Sequence, residues 1–122
     1  MVMKVLIVED NAGIRRLLRR TLFDTASDIW ECHDGASALA AYKNFQPDVV
    51  LMDIQMPIVD GLTATKQIRK FDPAARVVMV TDYQDNDLQI TAFEAGACRY
   101  VLKQELSDLP GVLLLLFGET SK

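Results

Sequence analysis

The sequence predicts an α/β fold: a doubly wound, five-stranded parallel sheet of (βα)5 organisation, with helices on both faces. Apolar runs such as Val5–Val8 are short and continuous, which is typical of parallel strands covered on both sides. Amphipathic segments follow these runs, and glycine, proline and Asx residues separate the two kinds of segment. Because 122 residues, half of them hydrophobic, are enough for one core, we expect a single domain over residues 1–122.

The first half of the chain predicts two strand–helix units after Val5–Val8. Asn11 can cap a first helix over about Ala12–Phe23. The next strand, Ile29–His33, is less apolar, so we expect it at an edge of the sheet. A second helix over 37–45 is ended by Pro47, because proline cannot continue the helical hydrogen bonding.

The second half predicts three more strands. Val49–Ile54 is expected to be the central strand, and Pro57 and Asp60-Gly61 form a loop after it. Gly96 ends the fourth helix and Pro110 lies in the first turn of the last, which Ser107 or Asp108 caps. The remaining elements are helices at Leu62–Phe71 and Leu88–Ala95 and strands at Arg76–Val80 and Tyr100–Leu102.

Composition argues against several classes of protein. The formal net charge is -4 without a long run of one sign, so no nucleic-acid-binding face is predicted. The dense basic stretch, residues 15–20, is interpreted as the solvated face of the first helix. Cys32 and Cys98 lack metal-ligand spacing and are interpreted as reduced thiols. No signal peptide or membrane-spanning stretch is recognisable, so a cytoplasmic location is expected.

Charged side chains follow the ends of the predicted strands. Glu9 and Asp10 follow the first strand, Asp53 lies at the end of the third, and Lys103 follows the fifth. In open parallel sheets the functional crevice lies beyond the carboxyl ends of the strands. Carboxylates converging there would form an acidic pocket that suits a hard divalent cation such as Mg²⁺, which prefers oxygen ligands.

These residues, taken together, resemble a known family. Their order and spacing are similar to those of the receiver domain of two-component response regulators, the CheY-like family, over essentially the whole chain. The residues that carry the resemblance are Glu9-Asp10, Asp53, Met56-Pro57, Asp60-Gly61, Thr81, Tyr100 and Lys103. The resemblance implies the flavodoxin-like strand order 2-1-3-4-5 and a phosphoprotein of phosphorelay signal transduction.

The resemblance also implies a role for each residue of the site. Asp53 would accept a phosphoryl group from a sensor histidine kinase or phosphotransfer protein, with Lys103 and Thr81 binding phosphoryl oxygens. Thr81 and Tyr100 would form a switch acting on the face of the fourth helix, fifth strand and fifth helix. The ligands of Mg²⁺ would be Glu9, Asp10, Asp53 and the backbone carbonyl of Gln55, and the residues tuning acyl-phosphate lifetime would be Gln55 and Tyr83.

By the same resemblance the chain is a signalling domain and not an enzyme, with only self-directed phosphoryl transfer and autodephosphorylation. It is either a single-domain regulator or the receiver of a longer one, whose output domain could regulate transcription. Two departures from the family pattern stand out. Asp82 adds an acid beside the pocket, where relatives carry a small residue. Gln104 replaces a common proline, so a trans peptide bond or a strained loop is expected there.

The last helix is unusually apolar. Six consecutive apolar residues, 112–117, cannot all face one core, because a helix packed on a sheet buries a single stripe. We therefore expect a partner on the face of the fourth helix, fifth strand and fifth helix: a second copy forming a homodimer, an output domain or a kinase. Charged residues near it are Asp87, Glu94 and Arg99. The final GETSK resembles the start of a linker.

Three alternatives are weaker. An aspartyl-phosphate phosphatase of the haloacid-dehalogenase kind needs a second acid two residues after Asp53, where this chain has Gln55. A flavodoxin-like electron carrier needs a phosphate-cradling loop after the first strand, and EDNAGIRR has none. A degenerate receiver acting as a binding scaffold would be supported only by Asp82.

Overall fold

The protein forms one five-stranded parallel sheet with helices on both faces, as predicted. The computed structural model describes residues 3–120, with side chains up to residue 117. The strand order is β2-β1-β3-β4-β5, which confirms the expected 2-1-3-4-5 order and places β2 at an edge. The strands are β1 Lys4–Val8, β2 Asp28–Cys32, β3 Val49–Asp53, β4 Val77–Thr81 and β5 Arg99–Leu102. The helices are α1 Ala12–Thr21, α2 Ala38–Phe45, α3 Gly61–Phe71, α4 Asn86–Ala95 and α5 Leu109–Thr120.

Most predicted boundaries lie within two residues of the observed ones. α1 ends at Thr21, two residues before the predicted end, and Phe23 is 81% exposed. β4 includes Thr81 and begins after Arg76. A 3₁₀ helix over Lys103–Asp108 precedes α5 and was not predicted. Such short helices lack the 3.6-residue periodicity by which longer helices are recognised.

The sheet separates two apolar cores. Because side chains alternate along a strand, successive residues of β1 face opposite cores. One core packs α2, α3 and α4 against residues such as Leu6 and Met52. The other packs α1 and α5 against residues such as Ile7, with Leu18 and Leu113 among its helical members. Burial on both faces explains why the strands read as continuous apolar runs.

Side-chain caps start three of the helices. Asn11, Asp60 and Asp85 each accept a hydrogen bond from the backbone N–H three residues further on, at 3.0, 2.8 and 3.1 Å. Gly96 ends α4 in the left-handed conformation, with φ of 115°. Asn11 and Gly96 are therefore confirmed as the helix-boundary residues that the sequence predicted.

Gly61 is required by a close approach and not only by a turn. Its N–H donates to the Ile54 carbonyl at 2.7 Å, and a Cβ there would lie 2.0 Å from the Asp53 carbonyl oxygen. Only glycine allows the start of α3 to pack this tightly against the end of β3. The loop between them, including Gln55, is thereby held beside Asp53.

α5 buries one stripe, as its apolar sequence predicted. Leu109, Leu113 and Leu116 are buried, whereas Leu114 and Leu115 are 51% and 67% exposed. The helix continues to Thr120, so most of the predicted polar linker is helical, and residues 121–122 lie outside the described part. Within residues 3–120 no peptide bond is cis, which includes the one before Gln104. None of the helices in that range is long and apolar enough to span a membrane.

Candidate functional site

The carboxyl ends of the strands form the floor of an acidic cleft. Asp53 and Thr81 are the last residues of β3 and β4, while Glu9 and Lys103 directly follow β1 and β5. The parallel register brings these ends to one level, since Val8 pairs with Met52 and Thr81 with Leu102. The cleft has a volume of about 300 Å³ and is lined by Glu9, Asp10, Asn11, Ile14, Asp53, Gln55, Thr81, Asp82, Tyr83 and Lys103.

Three carboxylates meet in this cleft. One oxygen from each of Glu9, Asp10 and Asp53 lies within 4.8 Å of the others. Glu9 and Asp53 are buried, with 1% and 6% of their surface exposed, whereas Asp10 is exposed. Two buried carboxylates at this separation are costly without cations, because each penalises the charge of the other.

Lys103 supplies the cation in the cleft. Its ammonium lies 3.0 Å from Glu9 Oε1 and 3.5 Å from Asp53 Oδ1. Burial works to lower the pKa of Lys103, but the hydrogen bond to Glu9 and the charge of Asp53 raise it on balance. Burial and the charge of Glu9 raise the pKa of Asp53 to about 7, against the opposing effect of Lys103. One lysine therefore does not balance the carboxylates.

The shortage of positive charge fits a divalent cation. The three carboxylates offer the hard oxygen ligands that Mg²⁺ prefers, and the exposed Asp10 leaves room for the water molecules that this ion retains. Gln55 also lines the cleft. These residues could hold Mg²⁺.

Glu9 is held by contacts that the sequence analysis did not identify. Its Oε2 accepts a hydrogen bond from Asn11 N at 3.1 Å, and its carbonyl oxygen accepts one from Arg15 Nη1 at 2.8 Å. Arg15 also donates to Glu31 Oε1 at 3.0 Å, with 13% of its side chain exposed. The interpretation of residues 15–20 as a solvated face is therefore wrong for Arg15, which links α1, β2 and the acidic cleft.

A sequence signal for this link exists. Arg15 and Arg19 are spaced one helical turn apart, so they share a face of α1. Both pair with Glu31, an acid within an edge strand. A charged residue at a half-buried strand position, with two arginines at helical spacing, indicates such a cluster, but only the fold shows which element Glu31 faces.

The backbone of Tyr83 connects Thr81 with Tyr100. Thr81 is buried, and its Oγ1 accepts a hydrogen bond from Tyr83 N at 3.3 Å. The Tyr83 carbonyl oxygen in turn accepts a hydrogen bond from the Tyr100 hydroxyl at 2.6 Å. The two residues that the sequence analysis paired are thus joined through one intervening residue, whose own side chain lies at the cleft and is 47% exposed.

The structure therefore gathers seven of the eight predicted site residues around one cleft, and the eighth, Tyr100, is linked to it through the Tyr83 carbonyl. Asp82 also lies at the cleft, with its Oδ2 3.9 Å from Lys103 Nζ. The arrangement offers a carboxylate on the floor, an ammonium beside it, a hydroxyl on the next strand and carboxylates able to bind a metal. Such a set can bind and transfer a phosphoryl group.

Comparisons with known proteins agree on one family. Residues 5–111 match the model of the response regulator receiver domain. The chain is 39% identical over 103 residues to a chemotaxis protein CheY of Halobacterium salinarum, covering 84% of this chain and 86% of that protein.

Solved structures give the same result. A LuxR-family two-component response regulator from Aurantimonas sp. superposes with a TM-score of 0.90 at 30% identity, over 98% of this chain and 87% of that one. A chain of the CheX–CheY–BeF3–Mg²⁺ complex from Borrelia burgdorferi superposes with a TM-score of 0.75 at 30% identity, over 82% of this chain and 77% of that one.

Proposed function

The chain belongs to the response regulator receiver domain family, and from this premise we propose that it is a phosphoacceptor whose acceptor is Asp53. Receiver domains are signalling modules and not classical enzymes. The observation that best supports Asp53 is its position on the buried floor of the cleft, 3.5 Å from the Lys103 ammonium. The donor would be a sensor histidine kinase or a phosphotransfer protein.

Each side chain would have a distinct part in the transfer. A carboxylate oxygen of Asp53 attacks phosphorus, the new P–O bond forms, and the P–N bond to the donor histidine breaks with its electron pair going to nitrogen. Lys103 exchanges part of its contact with Glu9 for a phosphoryl oxygen. Thr81 donates its hydroxyl to another oxygen. Bound Mg²⁺ would neutralise phosphoryl charge in a loose, in-line transition state.

Glu9, Asp10 and Asp53, with the Gln55 carbonyl, are the ligands that we propose for Mg²⁺. Support comes from the excess of carboxylates over cations in the cleft and from the Borrelia relative, whose complex contains BeF3 and Mg²⁺. Gln55 and Tyr83, at the rim of the cleft, are proposed to tune the lifetime of the acyl phosphate.

The output of the site would pass through Tyr83. If Thr81 turns its hydroxyl to a phosphoryl oxygen, it weakens the hydrogen bond that it accepts from Tyr83 N. The backbone of Tyr83 can then move, and this shifts the Tyr83 carbonyl that accepts a hydrogen bond from the Tyr100 hydroxyl. Phosphorylation then biases two arrangements of the face formed by α4, β5 and α5. We propose that this face binds a partner, in the first instance a second copy of the chain.

Two alternative functions are less well supported. An aspartyl-phosphate phosphatase would need a second acid where the cleft has Gln55. A scaffold without phosphorylation would not need Lys103 to be shared between Glu9 and Asp53, an arrangement that costs folding free energy.

The direct test is phosphorylation of the purified chain. With Mg²⁺ and either acetyl phosphate or phosphoramidate, mass spectrometry should show one hydroxylamine-labile phosphoryl group on Asp53. Asp53→Asn should abolish it, because an amide is not a nucleophile, whereas Asp87→Asn, an exposed acid outside the cleft, should not. Labelling of the Asp53→Asn protein at another residue, or no labelling of the wild type with either donor, would contradict the proposal.

The homodimer is tested by sedimentation with and without beryllofluoride. Ile90 on α4 and Leu115 on α5 are 57% and 67% exposed. We expect weak self-association, and we expect beryllofluoride to strengthen it by about 1–3 kcal/mol of coupling free energy. Ile90→Glu should remove this association. Leu114 provides the control variant. Val112 lines a cleft with Tyr100 and so lies on the face of α4, β5 and α5, whereas Leu114 is about 200° further around α5 and points away from that face. If Leu114→Glu abolished association and Ile90→Glu did not, the contact would lie on the α1 side of α5 instead.

A further inference from the structure

Asp82 lies at the mouth of the cleft, beside the residues assigned to phosphoryl transfer but without a part in it. Its Oδ2 is 3.9 Å from Lys103 Nζ, and its side chain is 69% exposed, whereas the side chains of Glu9 and Asp53 are 2% and 7% exposed. Lys103 therefore has two buried acids on its inner side and one exposed acid on its outer side.

This acid makes the cleft strongly negative. Four carboxylates and one ammonium line it, so even with a divalent cation bound one negative charge remains in excess. A cleft with low-dielectric walls concentrates that field at its opening, where an incoming phosphoryl donor must pass. Asp82 also attracts Lys103 outward, in competition with the phosphoryl oxygen that Lys103 would bind.

In-line geometry places the leaving group of the donor near Asp82. Asp53 attacks from the floor of the cleft, and in such a displacement the leaving group lies on the opposite side of phosphorus from the nucleophile. That side is the open mouth. The Asp82 carboxylate is thus positioned to interact with the charge of the leaving group and not only with the phosphoryl oxygens.

We propose that Asp82 is a specificity-determining residue that selects phosphoryl donors by the charge of their leaving group. It favours phosphoramidates, including a phosphohistidine side chain, over acyl phosphates. The proposal rests on the phosphoacceptor role of Asp53 and names the class of donor which that site prefers.

The two classes of donor differ in the charge that they bring to the mouth. With acetyl phosphate, the Asp53 O–P bond forms, the P–O bond to the acyl group breaks, and acetate leaves with the electron pair. Negative charge therefore grows beside Asp82. With phosphoramidate, the nitrogen is protonated to –NH₃⁺ before transfer; the P–N bond breaks, its electron pair stays on nitrogen, and ammonia leaves. Its partial positive charge in the transition state is attracted to Asp82.

The test compares second-order rate constants of phosphorylation for the wild type and Asp82→Asn, with each donor at saturating Mg²⁺, by intact-protein mass spectrometry. For Asp82→Asn we expect the rate with acetyl phosphate to rise about threefold and the rate with phosphoramidate to stay unchanged or fall. The preference for phosphoramidate should therefore fall severalfold, and high salt should reduce the difference between the two proteins.

Matched variants separate charge from structure. Asp82→Glu keeps the charge and should keep the preference, whereas Asp82→Ala should behave as Asp82→Asn. Asp87→Asn removes an equal charge outside the cleft and should leave the preference unchanged. An unchanged preference in both Asp82→Asn and Asp82→Ala would overturn the proposal while leaving Asp53 as acceptor. If no protein is labelled by either donor, the phosphoacceptor function itself fails and the proposal fails with it.

Discussion

Two clusters of charged side chains, both contacted by Arg15, have opposite ratios of cations to acids. Between α1 and β2, Glu31 is shared by Arg15 and Arg19, and the hydrogen bond from Arg19 above all lowers the pKa of Glu31. At the strand ends, Lys103 is shared by Glu9, Asp53 and Asp82, and the pKa of Asp53 is raised to about 7. The first cluster is rich in cations and the second is short of them.

This difference separates a stabilising contact from a site that stores unfavourable energy. Removing the acid from the first cluster takes away the carboxylate that the two arginines share, whereas removing an acid from the second relieves repulsion. Because its carboxylates repel one another when no metal is bound, the cleft is suited to binding a cation. The following variants test that contrast, beginning with the largest expected effect.

The largest effect should be on metal binding. Asp10→Ala removes the exposed carboxylate of the cleft, and we expect Mg²⁺ affinity to fall at least about tenfold, the tenfold step corresponding to about 1.4 kcal/mol. Calorimetric titration measures it. Asp24→Ala, which removes an exposed acid beyond α1, is the control and should bind as the wild type. Equal affinity in Asp10→Ala would mean that the carboxylates do not form a metal site.

The next effect is a gain in stability without metal. In EDTA at pH 8, Asp53→Asn should raise the Tm by roughly 5 °C, because it removes the charge that Glu9 repels. The folded-state pKa of Asp53 lies above its unfolded value, so its stabilising contribution is complete below about pH 4 and lost as the pH rises through 7. The gain in Asp53→Asn should therefore widen between pH 5 and pH 8. A lower Tm than the wild type at pH 8 would contradict the assigned imbalance.

The α1–β2 cluster should respond in the opposite direction. Glu31→Gln should lower the free energy of unfolding by about 0.5–1 kcal/mol, or the Tm by about 3 °C, at pH 7. The pKa of Glu31 is lowered by folding, so its contribution is present above pH 4.5 and lost as the pH falls below it. Thermal melts at pH 7 and pH 3 measure both. A stabilised Glu31→Gln protein would show that the two clusters do not differ in balance.

Arg15 should have the smallest effect on metal binding, since it contacts the cleft only through the backbone carbonyl of Glu9. Arg15→Ala removes the hydrogen bond to the Glu9 carbonyl, so we expect Mg²⁺ to bind about threefold more weakly, in addition to a loss of stability. Arg19→Ala breaks a contact with the same Glu31 but not with Glu9, and should lose stability without losing affinity. Identical Mg²⁺ affinities in the two variants would show that the clusters are independent.

Much of the fold could be predicted because its signals are local. Continuous apolar runs indicate strands covered on both faces, and Asn11 and Gly96 mark helix boundaries through hydrogen bonds and backbone conformation within a few residues. The 3₁₀ helix after β5 could not be predicted, because its position depends on Leu106 being buried in the core between the sheet and α5.

The residues that line the cleft were largely predictable from the sequence, but their contacts were not. Charged side chains at strand ends, with the family resemblance, indicated Glu9, Asp10, Asp53 and Lys103. Sequence could not indicate that Gly61 must be glycine to pass the Asp53 carbonyl, or that Tyr83 joins Thr81 to Tyr100 through its backbone. These depend on atoms that approach only when three strands and their loops are assembled.

The sequence by itself therefore determined the order of strands and helices, the family and the acids that end the strands, because apolar periodicity and strand-end charges are properties of neighbouring residues. Only the tertiary structure decided how charge is shared. It assigned Arg15 and Arg19 to Glu31, and Lys103 to the acids of the cleft. The reason is electrostatic: the free energy of an ionised side chain depends on burial and on charges a few ångströms away, and the sequence does not contain those distances.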